Sequence, residues 1–172
     1  MVALSPSSAD FVLLVSTLVR ELAVIDDELG KDRRTSPEDQ LKTPIHNLLM
    51  GAADLMVRKI RVVTEHRQTA ADDIQGVRLD MAIKRTTGPL IGHVELKSSL
   101  KGANPYKAQG WSKHDKAQWK KLKNHSNLIY TNGWEWSLVR QGLKAPLYHV
   151  VLDADSPVSY THLRAHETDS YL

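Results

Sequence analysis

Cysteine is missing from all 172 residues. That excludes disulfide frameworks, thiolate zinc sites and a cysteine nucleophile together, and it fits a reducing, cytoplasmic setting. Long apolar runs are missing too. The stretch 11–19 is cut by Arg20 and Glu21, short of the roughly 20 residues that span a bilayer. Nothing basic precedes it in residues 1–10, so the charged start of a secretory signal is absent and no membrane partner is expected. There is no Walker-type phosphate loop, no internal repeat and no low-complexity segment. His46, His66, His93, His114, His125 and His149 show no metal-ligand spacing. Charge of one sign is scarce as well. Lys and Arg number 23 against 20 Asp and Glu, a surplus that admits nucleic acid as a partner without requiring it.

What remains is ordinary globular material, 41% apolar and 25% charged. A chain of this length buries roughly two-thirds of its unfolded surface, so it folds without a metal or disulfide staple. Its end is foreign in character. Residues 158–168 resemble one translated frame of a transposase-based sequencing adapter, and 158–172 are set aside from the fold as a non-native tail. Without them 22 Lys and Arg face 18 Asp and Glu, a formal charge of +4. The expectation is a native chain that continued past Pro157.

Residues 8–29 carry apolar side chains at 11, 14, 15, 18, 22, 25 and 29, one face of a helix. Gly30 can stop it, and 31–35 is a charged linker. Ser36, Pro37 and Asp39 mark a helix start, with serine as N-cap and proline at the first helical position. That helix runs towards Met56 with Leu41, Ile45, Leu48, Leu49 and Ala52 on one face, and Pro44 is expected to bend it. The period then changes. Segments 59–65, 77–83 and 90–97 read as strands, the last two joined through the turn residues Gly88 and Pro89. Segment 101–110 is a loop, and helical spacing returns over 112–123. Further strands follow at 127–131, 134–140 and 147–152, with Asn132-Gly133 as a tight turn. The order predicts an α/β domain with a mixed sheet flanked by helices. It divides into 1–35, an N-terminal helix and linker, and 36–157, the main domain.

Two acids stand where strands should be apolar. Asp80 interrupts the run 77–83, and Glu95 lies two residues before Lys97, so that Glu95 and Lys97 share one face of their strand. If the two strands pair through the Gly88-Pro89 turn, Asp80 lies beside Glu95. Neighbouring carboxylates repel unless they share a cation. Oxygen ligation suits Mg²⁺, which takes one or two carboxylates and keeps several waters. Lys97 beside them could orient or deprotonate the attacking water, which is equipment for metal-assisted phosphodiester hydrolysis.

Asp80, fourteen residues, then Glu95-Leu96-Lys97 resembles the PD-(D/E)xK nuclease motif. More narrowly, residues 38–142 resemble the nuclease-type domain at the N-terminus of large adenine-specific DNA methyltransferases of restriction systems. The likeness lies in Gly76 to Asp80, Gly92 to Lys97, Lys116 to Trp119 and Leu128 to Asn132. It implies a restriction-endonuclease-like core and a DNA endonuclease using Mg²⁺, with Mn²⁺ able to stand in. Asp80 and Glu95 would be metal ligands aided by the Leu96 carbonyl, and Lys97 would be catalytic. Glu38 matches an acid of the early helix near the metal, and Gln118 a glutamine that contacts substrate or water. Leu79 stands where the motif has proline. A methyltransferase and specificity region would follow covalently.

Simpler readings stand beside these. Glu95 and Lys97 could be a solvated strand face, Glu38 a favourable charge at a helix N-terminus, and Gln118 an exposed helix residue. Lys113, Lys116 and Lys120 could contact DNA phosphates or form a solvated face. Asn104-Pro105-Tyr106 lacks the second proline of the adenine-methyltransferase motif and reads as a turn. Two other functions remain open: a silent DNA-binding or interaction module on the same fold, and a free-standing structure-specific nuclease.

Overall fold

The computed structural model describes residues 8–31, 36–64, 79–125 and 127–154. Gly76, Val77 and Arg78, residues 32–35 of the expected linker and the tail 158–172 lie outside the described residues, and Gly30 does not stop the first helix, which continues to Lys31. Helix α1 (Ser8–Lys31) turns its apolar stripe inward, burying Leu18, Val19 and Leu22. Helix α2 (Pro37–Leu55) buries Leu41, Ile45 and Ala53 and runs on through a buried Pro44. Its start differs from expectation in one respect. Ser36 makes no side-chain cap bond; its carbonyl accepts the Asp39 N–H at 3.1 Å instead.

Among the described residues six strands form one sheet, ordered as they occur in the chain. They are β1 (Ile60–Thr64), β2 (Met81–Arg85), β3 (Leu90–Leu96), β4 (Leu128–Thr131), β5 (Glu135–Val139) and β6 (Tyr148–Val151). Neighbours are antiparallel except β3 and β4, which are parallel. A parallel pair needs a crossover, and helix α3 (Lys113–Leu122) lies on it. The sheet is therefore mixed and the class α/β.

Alternation along the strands sends side chains to two separate cores. Val62, Met81, Val94 and Leu96 pack with Leu18, Leu22, Leu41 and Ile45 of α1 and α2. Leu128, Tyr130 and Val139 pack on the other face with Trp111 and with Leu122 of α3. Helix α1 thus shares a core with the sheet of the main domain. Gly133, at φ +91°, closes the β4–β5 turn against that helix: a Cβ there would sit 2.5 Å from a Leu22 methyl. Only glycine combines that backbone angle with so close an approach.

Strand β2 begins later than its sequence pattern suggests. Met81 pairs with Val94, and Asp80 sits on a bend just before the strand. The reason is local. The Leu96 N–H donates to Asp80 Oδ2 at 2.8 Å, so the carboxylate takes over where the backbone ladder stops.

Candidate active site

The site is built where β3 ends. Asp80 lies one residue before the Met81–Val94 pair, close enough for its charge to act on Glu95, and Glu95 and Lys97 follow on the face that α3 covers. Both are deeply buried, at 4% and 2% exposure. Lys97 Nζ donates to Glu95 Oε1 at 2.8 Å and to Gln118 Oε1 at 3.2 Å. It also lies 3.1 Å from Asp115 Oδ1. The Trp111 and Tyr130 rings close its apolar side, with centroids 5.3 and 6.0 Å away.

A second ammonium extends the network. Lys101 Nζ is 3.0 Å from Asp115 Oδ2 and 3.6 Å from Glu38 Oε1. Glu38, in the first turn of α2, also accepts the Ser98 N–H at 3.3 Å. Carboxylates and ammoniums therefore alternate from Glu95 through Lys97, Asp115 and Lys101 to Glu38. This is a charge network assembled from α2, β3, the following loop and α3.

Burial sets the electrostatics. It pushes the Asp80 carboxyl up, against the Leu96 N–H that favours the ion, and neighbouring Glu38 adds to the rise. Glu95 is pushed up to about 7, again by burial first and then by the Asp80 charge, although Lys97 opposes it. For Lys97 burial pulls down, but Glu95 and Asp115 outweigh it and hold the amine above its usual range. It is thus an ammonium near neutrality, a donor and a positive charge. Asp115 goes the other way. Burial would raise it, yet hydrogen bonds from Ser112 and Lys101, with the Lys97 charge, hold it well below the usual carboxylate range.

Burial, more than any shortage of nearby charge, makes these two carboxyls resist ionisation, since Lys97 acts on both. Glu95 Oε2 is buried with no hydrogen-bond partner, and such an orphan is costly unless something binds it. Among the described residues no group of three or more His, Asp or Glu is placed to hold a metal ion. The donor set at hand is the carboxylates of Asp80 and Glu95. That set suits Mg²⁺, which keeps most of its own waters, and suits zinc poorly.

Of the residues singled out in the sequence, Asp80, Glu95, Lys97, Glu38 and Gln118 meet here. Leu96 points its side chain into the α1–α2 core, and the contact it makes in the site is its N–H to Asp80. Lys113, Lys116 and Lys120 are exposed on α3. Asn104 is a turn residue: its side chain accepts the Tyr106 N–H at 3.1 Å. Asp115 and Lys101 were not legible. An acid three residues after a serine at a helix start reads as a capping residue, and Lys101 sits in a loop without pattern.

Tyr130 Oη is also buried without a partner, and burial with the nearby Glu95 and Asp115 charges drives its pKa up. Tyr130→Phe is therefore expected to raise stability by about 1 kcal/mol, the cost of an unpaired buried hydroxyl. Urea unfolding reads it. A loss of similar size would mean that the hydroxyl has a hydrogen-bond partner after all.

The six-stranded mixed sheet, with α1 and α2 on one face and α3 on the other, is a restriction-endonuclease-like core. It is similar to a chain in the cryo-EM structure of a DrdV–DNA complex, with a TM-score of 0.54 over 82% of this chain and 90% of that one. Sequence identity is 19%, so the likeness speaks to the fold. No protein-family model matches the chain, and no curated protein does. No described helix is long and apolar enough to cross a membrane.

Proposed function

We propose that this chain is a Mg²⁺-dependent DNA endonuclease domain, the cleavage module of a restriction–modification enzyme. The observation that carries the reading is the meeting of Asp80, Glu95 and Lys97 at the end of β3, with Glu95 Oε2 left unpartnered. A fold shared with a chain from a DrdV–DNA complex supports DNA as the substrate.

Asp80 and Glu95 would hold Mg²⁺ together with the Leu96 carbonyl, and Glu38 lies close enough to Asp80 to influence its charge. When bound, the ion supplies positive charge to the phosphoryl oxygens and acidifies water, the two services that phosphodiester hydrolysis most needs. Lys97 adds an ammonium that faces the same centre and donates to the oxygens developing charge there. Gln118 receives one Lys97 hydrogen bond and so helps to aim it. Water would attack phosphorus in line as the opposite P–O bond breaks, its proton passing to solvent and the departing oxygen taking one up from solvent. Lys113, Lys116 and Lys120, exposed on α3, supply phosphate contacts that are indifferent to sequence. Choice of sequence lies elsewhere, in a methyltransferase and specificity region following this domain, with 36–157 as the nuclease unit and Mn²⁺ as a substitute ion.

One observation favours a second reading. Glu95 Oε1 is tied to Lys97 at 2.8 Å, a closed pair that a silent DNA-binding module would also have. Supercoiled plasmid incubated with the chain, with and without Mg²⁺, separates the two. Nicking that requires Mg²⁺ is expected. DNA binding with no nicking at any Mg²⁺ concentration would leave the silent module.

A further inference from the structure

We propose that Asp115 is the positioning residue of the site, the fixed anion that keeps the Lys97 ammonium in place when Glu95 turns to a cation. This rests on the reading of Asp80, Glu95 and Lys97 as a nuclease centre.

In the structure Lys97 is shared by two carboxylates, Glu95 Oε1 at 2.8 Å and Asp115 Oδ1 at 3.1 Å. The two differ in what else holds them. Glu95 has its second oxygen unpartnered and Asp80 beside it, so a divalent cation there would compete with Lys97 for the same carboxylate. Asp115 has no such freedom. Its Oδ2 accepts the Ser112 N–H at 2.9 Å and the Ser112 hydroxyl at 2.7 Å, and Lys101 lies 3.0 Å away. Its own N–H donates to Ser112 Oγ at 3.1 Å. Those reciprocal bonds form a capping box at the start of α3.

One carboxylate therefore does two jobs with different oxygens. Oδ2 secures the helix, and Oδ1 faces Lys97. A buried anion fixed by three donors is a better anchor than a mobile surface partner, because little ordering remains to be done when the ammonium docks. Glu95 and Asp115 also divide the labour: one can exchange Lys97 for a metal, the other cannot. Lys97 then stays beside Gln118, Trp111 and Tyr130 in either state.

The test uses the full chain as wild type, Asp115→Asn, Asp115→Glu, Ser112→Ala and Lys97→Ala. The first readout is reductive methylation of lysines in metal-free protein, followed by mass analysis of the Lys97 peptide. Loss of a charged hydrogen bond should speed labelling of Lys97 about tenfold in Asp115→Asn. Ser112→Ala removes one of the three donors on Oδ2 but leaves the Ser112 N–H, Lys101 and Oδ1 facing Lys97, so its labelling should rise by clearly less than in Asp115→Asn. Asp115→Glu, which shifts the anion by one methylene, should move in the same direction as Asp115→Asn by less, and it decides the matter if that variant fails to fold. The second readout is single-turnover nicking with Mg²⁺. Asp115→Asn is expected to lose roughly 10–100-fold in rate, as supporting-shell changes do, with DNA affinity unchanged.

Lys97 labelling at the wild-type rate in both Asp115 variants would overturn the proposal. So would equal acceleration in Ser112→Ala, which would make Asp115 a helix cap and nothing more. If wild type and Lys97→Ala nick alike, the nuclease reading fails, and the labelling still decides what holds Lys97.

Discussion

Asp80→Asn and Lys97→Ala are each expected to lower Mg²⁺-dependent plasmid nicking by at least about a hundredfold, the lower end of what a positioned catalytic group contributes. The two variants remove different things. Asparagine at 80 keeps an acceptor for the Leu96 N–H, now made at 2.8 Å, while deleting the charge a cation needs. Its loss of activity therefore cannot be blamed on the β2–β3 corner. Lys97→Ala removes the ammonium between Glu95 and Asp115 and leaves two buried acids without it. Breaking a buried pair costs about 3–5 kcal/mol, so folded protein must be measured alongside by near-ultraviolet circular dichroism. Activity per folded molecule is the quantity compared. Retention of more than a tenth of the wild-type rate in either variant would move the centre elsewhere.

In metal-free protein, Glu95→Gln is expected to gain stability over wild type as pH rises. Burial holds the Glu95 carboxyl at about 7, above its ordinary 4.5. Between those values the unfolded chain releases the proton and the folded chain keeps it, so folding becomes less favourable with every step upward. The whole penalty is in place above the folded pKa. Glutamine resembles the protonated acid and carries no such penalty. The gap between the two proteins should therefore open from near zero at pH 4.5 to about 3 kcal/mol in favour of glutamine at pH 8. The shift on Asp115 has the opposite sign. Its stabilisation is complete above the ordinary carboxylate range and is lost only in acid, so it leaves this window untouched. Urea midpoints at four pH values with EDTA suffice, and a gap that stays flat refutes the shifted carboxyl.

The helices and the face shared by Glu95 and Lys97 could be read from spacing alone, because both depend on local periodicity. The stripe in α1 and the paired strands around Gly88-Pro89 follow from the same arithmetic. Local signals failed where a side chain substitutes for backbone. Asp80 looked like a strand residue, yet its carboxylate ends the ladder by accepting the Leu96 N–H. The side-chain cap expected at Ser36 is missing, and one forms at Ser112 instead. The helix start at Ser36, just before Pro37, uses a carbonyl, while the capping box forms at Ser112 and Asp115. Asp115 and Lys101 were hidden for a further reason. Their partners Lys97 and Glu38 lie on other elements, and no period connects residues that meet only after α3 has docked.

Strands laid down in chain order have a kinetic consequence. The hairpins β2–β3, β4–β5 and β5–β6 close between near neighbours, which costs little loop entropy. The β3–β4 pairing is different: it spans the 98–112 loop and α3, and it sets Glu95 beside Tyr130. That joining is expected to limit the folding rate, so lengthening the loop should slow folding in stopped-flow while leaving unfolding nearly unchanged. Two meanders would form first, and the one that holds β2 and β3 already carries Asp80, Glu95 and Lys97. The last pairing to form would be the one that closes α3, with Asp115 and Gln118, and the Tyr130 ring over a Lys97 already in place.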